Sequence, residues 1–366
     1  MNETTATRYQ RLRRRVRVAG LLSAAVVLSV VAFTPLSRLA VDWLGARVSS
    51  PAVAAVAFVA GLVLLLELAA VPALVYLEGR GVGRSRRARA SAGEMLAAHG
   101  QAALVTLALA IACALVWSMS VRLGGDLWWA LASALLAGLV VIALRVAPAV
   151  FSRLGEVRAV ARPELIARLE ALARGARVEV AGVHEWRVPD GADASALVTG
   201  AGGTRRILIA SPVLRDWTDD EISVVVAHEL AHHRHHDLHV TLVIDAGVAA
   251  LAGWVAHLAL ARAASALGLT GATDLAALPF LILVAGGVWV TTTPIRLAVS
   301  RWQERRADGF ALRTTGGADA FSTAVRRLGA QHLAEERPSL LTRWLFQRHP
   351  SVSERVAMAE AYRDQH

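Results

Sequence analysis

Lysine is absent from this 366-residue chain, and Cys113 is its lone cysteine. A single thiol excludes an intramolecular disulfide and a zinc site built on paired thiolates. Charge is scarce as well: charged residues make up 19% of the chain against 55% hydrophobic. That balance is too apolar for an ordinary soluble protein of this length and reads as a membrane protein. Internal repeats and low-complexity linkers are lacking. All 39 basic residues are therefore arginine, and against 29 acidic residues they leave a net charge of +10. A positive balance invites a nucleic-acid reading, but no nucleic-acid motif is present. Orientation in a membrane and contact with anionic lipid account for the charge.

Six stretches are long enough to cross a bilayer core of about 30 Å: residues 16–36, 51–77, 101–121, 127–147, 240–261 and 278–299. Arginines alternate across them. Arg8, Arg11, Arg13, Arg14, Arg15 and Arg17 surround the start of the first span, and Arg80, Arg84, Arg86, Arg87 and Arg89 follow the second. The segments after the first, third and fifth spans carry only Arg38 and Arg47, then Arg122, then Arg262. The positive-inside rule then predicts a multi-pass plasma-membrane protein with both termini in the cytoplasm. An arginine-rich start before an apolar run is also the layout of a signal peptide, with Val30-Val31-Ala32 as a weak cleavage site. The length of the run and the need for a cytoplasmic start favour an uncleaved first span. Glu67, Asp245 and His257 fall inside predicted spans, where an ionisable group needs a partner or a polar cavity.

The most informative motif lies in the longest polar part of the chain. In His228-Glu229-Leu230-Ala231-His232 the two histidines are four apart, on one face of a helix, and can turn imidazole nitrogens to one ion. Glu229 sits about 100° further round, where a carboxylate can take a proton from a water that the metal has acidified. Thr218-Asp219-Asp220-Glu221 reads as a capping box, and the apolar run 222–227 leads from it into the pentad, so the motif is on a helix. The plainer alternative is a solvated histidine tract, since 228–239 holds six histidines.

A third ligand has to come from elsewhere. Glu304 and Asp308 are again four apart, on a predicted helix ending near Gly316-Gly317. Glu304 is the expected ligand, and Asp308 the group that receives a hydrogen bond from the far nitrogen of a ligating histidine and fixes its tautomer. An ordinary charged helix face is the competing reading for this pair. One pair of spans separates His228 from Glu304, so both return to the same side of the membrane.

Four segments follow: 1–150, a membrane domain of four spans; 151–239, a cytoplasmic α+β segment carrying the pentad; 240–299, a two-span hairpin; and 300–366, a cytoplasmic helical part with the third ligand. The fold class is mainly α, a polytopic helical bundle with a cytoplasmic zincin-like α+β domain. Within 151–239 the apolar spacing predicts an amphipathic helix over 163–174 and short strands over 177–180, 183–188, 195–199 and 206–210. Gly200-Ala201-Gly202-Gly203 makes the last two a hairpin. An exposed edge there suits an extended peptide added as a further strand, although a purely structural sheet explains any single residue equally well.

These motifs resemble the integral-membrane zinc metalloproteases of the CAAX prenyl protease type I (Ste-type) class and the related HtpX proteases. The pentad matches the zinc helix of that family, and Glu304-Arg305-Arg306-Ala307-Asp308 matches its Glu-x-x-Ala-Asp segment. Residues 196–207 look like the strand pair before the zinc helix. His349-Pro350 followed by Arg355 resembles a C-terminal motif whose histidine and arginine lie near the site. Tyr76-Leu77-Glu78 with Gly81-Val82-Gly83 is a fainter echo of the loop after the second span. The resemblance is strong over 195–366 and weak before about 150.

It implies one Zn²⁺ per chain held by His228, His232 and Glu304, with Glu229 taking the proton of the attacking water and passing it to the leaving amine. His349 or Arg355 would donate to the oxyanion. For these two, helix capping or surface pairing is the alternative, and Ser351-Val352-Ser353-Glu354 is itself a capping box. Ser195, Ala196 and Leu197 would hold the substrate backbone. Two departures stand out. Ser195 replaces the asparagine usual in the family, and six predicted spans replace the seven of the eukaryotic prenyl proteases. The implied partners are the bilayer and a peptide or membrane-protein substrate. A penicillin-sensor-type signalling metalloprotease would add a long sensor segment, which this sequence does not show, and a catalytically silent scaffold would have dispensed with Glu229. Arginine in place of lysine suggests a GC-rich bacterial genome, where quality control of membrane proteins is a more general expectation than farnesylated substrates.

Overall fold

The computed structural model describes residues 5–79, 92–154, 157–187, 195–200 and 202–365. Arg80 to Arg89, Gly81-Val82-Gly83 and Ala201 lie outside the described residues, as do the side chains of Tyr76-Leu77-Glu78. The chain is mainly helical and divides into two compact units, one of residues 1–10, 140–244 and 293–366, the other of 11–139 and 245–292.

The second unit contains long apolar helices. Helix α1 is Thr5–Phe33, α2 Leu36–Gly45, α3 Pro51–Gly79, α4 Ala92–Gly124, α5 Trp128–Leu154 and, after the sheet region, α9 Asp237–Ala263 and α10 Leu278–Thr291. Among the described residues, four helical stretches are long and apolar enough to cross a membrane, five if one bent pair is included. Six were expected from the sequence, and the difference arises in two places. The third and fourth expected spans fall in one helical run, 100–145, interrupted only by a 3₁₀ turn at Gly125–Leu127, where Gly125 takes φ 51°. The sixth is broken: α10 has 14 residues, about 21 Å of helix, and bends by 43° into α11, Thr293–Thr315. Large apolar side chains along these helices point outward, among them Leu64, Leu104 and Leu109, the inverse of a water-soluble surface. Polar groups inside find partners. Trp128 Nε1 donates to His257 Nδ1 at 3.1 Å, and Arg38 pairs with the buried carboxylate of Asp274.

In the first unit a four-stranded sheet, ordered β1-β2-β4-β3, packs on helices. The strands are β1 Val157–Ala159, β2 Val183–Trp186, β3 Ala196–Thr199 and β4 Arg206–Ala210. The central pair β2–β4 is parallel and the outer pairs are antiparallel, which leaves β3 at an edge. β3 and β4 are joined as the hairpin expected from the glycines. At Gly200, φ is 106° and a Cβ would stand 2.7 Å from the Thr204 carbonyl oxygen, so only glycine fits.

The strand expected over 177–180 does not form. Helix α6, Pro163–Gly175, ends instead in a Schellman turn that uses those residues: Arg177 takes φ 55° and the Val178 N–H reaches the Ala173 carbonyl at 2.9 Å. Its β-branched residues mimic a strand, but their backbone is spent capping the helix. β1, missed in the sequence, pairs antiparallel to β2.

After the short α7, Ser211–Asp216, comes α8, Asp219–Arg234. Thr218 caps it in the full capping box with Glu221, and three acidic residues occupy its first turn. Ile222, Val226, Ala227, Leu230 and Ala231 are almost wholly buried, so the helix runs through the middle of the core, with His228, Glu229 and His232 on its remaining face. Helix α12, Ala318–Gln331, α13, Leu340–Phe346, and α14, Val352–Gln365, complete the unit.

Candidate metal centre

Helices α8 and α11 pack along each other, which brings together residues more than seventy positions apart in sequence. His228 Nε2 lies 3.2 Å from His232 Nε2 and 3.3 Å from Glu304 Oε2, and His232 Nε2 lies 3.6 Å from Glu304 Oε1. Tetrahedral ligands held at zinc distances of about 2.0–2.1 Å are separated from one another by roughly 3.3 Å. The two imidazole nitrogens therefore have the spacing of neighbouring zinc ligands, and Glu304 presents one or the other carboxylate oxygen to each at a similar distance. The trio is also the one group of three or more such ligands that converges among the described residues.

Glu304 Oε2 is buried, and no N–H in good alignment satisfies it. Only the His228 and His349 nitrogens, at 3.3 and 2.9 Å, face it, and a cation held by the trio would compensate the carboxylate where those imidazoles are neutral. The electrostatics agree. Burial alone would lower the His228 pKa, but the carboxylates of Asp308 and Glu304 outweigh burial and push it up to about 10. Burial acts to raise Glu304, and the facing His228 and His349 still hold it well below the usual carboxylate range. A site that attracts positive charge this strongly suits a dication, and two imidazoles with one carboxylate suit zinc. At Glu229, burial dominates and raises the carboxyl, opposed by His228 and His232.

Behind the ligands lie two carboxylates, each fixed by arginine. Asp308, fully buried, faces His228 Nδ1 at 2.9 Å, as expected from the sequence, and receives both Arg355 Nε (2.9 Å) and Nη2 (2.6 Å). Asp237, equally hidden, lies 2.8 Å from His232 Nδ1 and pairs with Arg306, while its backbone carbonyl accepts from Gln303 Nε2 at 3.1 Å. Sequence reasoning missed Asp237 because five residues from His232 is not a same-face helical spacing. The helix stops at Arg234, His236 takes φ 56°, and that left-handed turn folds Asp237 back under the metal site.

The other expected site residues sort as follows. His349, largely exposed, brings Nδ1 to 2.9 Å from Glu304 Oε2. Arg355 reaches the site region, but its guanidinium is engaged by Asp308, which leaves His349 as the candidate oxyanion donor. The capping box of Ser351 and Glu354 is formed and starts the helix that carries Arg355. At β3, the Ser195 carbonyl accepts from Ala210 N–H within the sheet, and alternation turns the backbone of Ala196 and Val198 outward. Leu197, like Ser195, spends its backbone on β4. Val198 O is met at 3.0 Å by His233 Nε2, whose other nitrogen accepts from Arg205 Nε at 3.3 Å. His233, also missed in the sequence, thus ties the sheet edge to the helix of the pentad.

The profile of Peptidase family M48 matches residues 159–363. The chain is 27% identical over 254 residues to the uncharacterized metalloprotease YhfN of Bacillus subtilis, covering 68% of this chain and 60% of YhfN, less than two thirds of that relative. It is 28% identical over 221 residues to a protease HtpX homolog of Acidiphilium cryptum, covering 53% of this chain and 72% of the homolog. The crystal structure of S. mikatae Ste24p superposes with a TM-score of 0.79 over 97% of this chain and 88% of that one, at 15% identity, a likeness of fold. With more than half its length inside the matched region, the converging trio included, the chain belongs to peptidase family M48.

Proposed function

We propose that the chain is a zinc metalloendopeptidase, with one zinc per chain, that hydrolyses peptide bonds of membrane-associated proteins or peptides at the cytoplasmic face. The observation that carries this reading is the convergence of His228, His232 and Glu304, whose ligating atoms approach one another at 3.2–3.6 Å. Bound there, Zn²⁺ would acidify a water and polarise the substrate carbonyl. Glu229 takes the proton of the attacking water and returns it to the leaving amine, a task eased by a carboxyl whose pKa burial has raised. Asp308 and Asp237 hold the Nδ1 sides of His228 and His232, so that both Nε2 atoms would be free to hold the ion. Arg355 positions Asp308, and His349 donates to the oxyanion. An extended substrate pairs with the outward backbone of Ala196 and with the Val198 N–H, the Val198 carbonyl being met by His233.

The catalytic part comprises 151–239 and 300–366, and the membrane part comprises 1–150 and 240–299. Six crossings with cytoplasmic termini accord with two contacts. Arg38 meets Asp274, joining the segments after the first and fifth expected spans, and Gln10 Nε2 reaches the His332 and Leu333 carbonyls, joining the two ends of the chain. Metal analysis of the purified protein is expected to find about one zinc per chain. His232→Ala and Glu304→Ala lose most of it, whereas Glu229→Gln keeps zinc and loses peptide hydrolysis. Full zinc and activity in Glu304→Ala would refute the third ligand, and unchanged hydrolysis in Glu229→Gln would refute the base.

A further inference from the structure

Helix α13 is amphipathic in the wrong sense for a soluble surface. Leu340, Leu341, Trp344 and Leu345 fall on one face at helical spacing and are 72%, 69%, 56% and 38% exposed. The polar side turns inward: Arg343 pairs with Glu354 at 2.7 Å, and Ser339 caps the first turn through the Thr342 N–H. Four large apolar side chains in water on a seven-residue helix are costly unless something apolar covers them.

The position of α13 identifies the cover. Arg301, buried in α11, donates to the Arg343 and Gln347 carbonyls at 2.8 and 2.7 Å and so fixes the C-terminal end of α13. Two residues along the same helix, Gln303 reaches the Asp237 carbonyl and Thr241. These are the first-turn residues of α9, the helix that is apolar and long enough to cross a bilayer from Asp237 onward. The end of α13 is thus pinned at the level where that span begins. Close in sequence to these contacts, Leu238 of α9 and Trp302 of α11 are also exposed, 51% and 52%, so apolar side chains are uncovered at the start of the span as well. Arg348, exposed just after α13, can meet anionic headgroups, and the preceding flank carries Arg337 beside Glu335 and Glu336.

We propose that α13 is an in-plane membrane helix: its Leu340, Leu341, Trp344 and Leu345 face enters the acyl–headgroup boundary of the leaflet from which α9 starts. The helix, seven residues long, lies on the bilayer without spanning it, as an amphipathic segment does. His349 follows three residues after its end, so the membrane surface and the Glu304 carboxylate are linked by a short, anchored tether. This inference rests on the membrane reading of α9 and is independent of proteolysis.

The test places one cysteine at a time in a Cys113→Ala background, labels it with an environment-sensitive fluorophore, and reconstitutes the full chain in nanodiscs of phosphatidylcholine and phosphatidylglycerol containing spin-labelled lipid. Leu341→Cys is expected to show at least twofold quenching by a shallow spin label and less by a deep one. Leu251→Cys, on α9, should be quenched more by the deep label, and Asp319→Cys by neither. A water-exposed, unquenched label at 341 with a quenched one at 251 would overturn the proposal and leave that face to a second copy or a protein partner. An unquenched label at both positions would overturn the span together with it.

Discussion

Asp308 and Asp237 show how much of this site is decided one side chain at a time. Each is buried, each faces the Nδ1 of a histidine of the converging trio, and each is compensated by an arginine. Replacing Asp237 with asparagine keeps the size but removes the charge that orients His232. Zinc affinity, measured by competition with a chelator, is expected to fall about 10–100-fold while the far-ultraviolet spectrum is unchanged. An unaltered affinity would make Asp237 a plain helix-start residue. Arg355→Ala acts differently, because it strands a carboxylate in the core. A loss of roughly 3–5 kcal/mol is expected, read as a lower midpoint in thermal unfolding. Burial acts to raise Asp308, but Arg355 and His228 outweigh it and keep the carboxyl below its ordinary range. The stabilisation from this pair is therefore full above the unfolded value of about 3.9 and is lost as pH falls through the lower folded one. Arg355→Ala should flatten that acid limb, and an unchanged limb would mean that the pair contributes nothing.

At the scale of elements, the edge strand β3 makes the sharpest prediction, because its two sets of backbone groups have different tasks. Val198 N–H points away from the sheet, whereas Leu197 N–H is turned toward Leu208 of β4. Proline at an outward edge position leaves the ladder intact. Val198→Pro should therefore keep the fold and the zinc yet lose about tenfold in peptide hydrolysis, the value of about one substrate hydrogen bond. Leu197→Pro should instead lower thermal stability. A folded Val198→Pro protein with the parental rate would exclude strand addition. The hairpin and the helix of the pentad were legible in sequence because their signals are local: glycines that a turn requires, a capping box, an apolar run. The segment 177–180 was misread because a β-branched run records burial, and a Schellman turn buries it as readily as a strand does.

For the whole molecule the arginine distribution predicts which parts face the cytoplasm, and the structure refines how to test it. Gly200 cannot carry a probe cysteine, since any Cβ there collides with the Thr204 carbonyl, whereas at Gly203 a Cβ meets only the Glu179 carboxylate, at an ordinary 3.7 Å. In a Cys113→Ala background, Gly203→Cys and Asp319→Cys should be protected from an impermeant reagent in intact cells, and Gly45→Cys and Thr273→Cys should be labelled. Labelling of Gly203→Cys from outside would reverse the orientation. Arg38→Ala and Asp274→Ala should each destabilise the protein by about 1–3 kcal/mol, and the double variant by less than their sum, because the two share one contact.

The sequence by itself determined what is periodic and short in range. The apolar runs, the alternation of arginines, the capping boxes at Thr218 and Ser351, and the four-residue spacings of His228 with His232 and Glu304 with Asp308 all follow from the geometry of a single helix. Only the tertiary structure decided what depends on two elements meeting. Packing of α8 on α11 set the 3.2–3.6 Å spacing of the trio, and a left-handed turn at His236 returned Asp237 to His232. Likewise Arg355 was drawn onto Asp308 and away from an open role, since a carboxylate buried that deeply requires a charged partner and the chain folds so as to provide one.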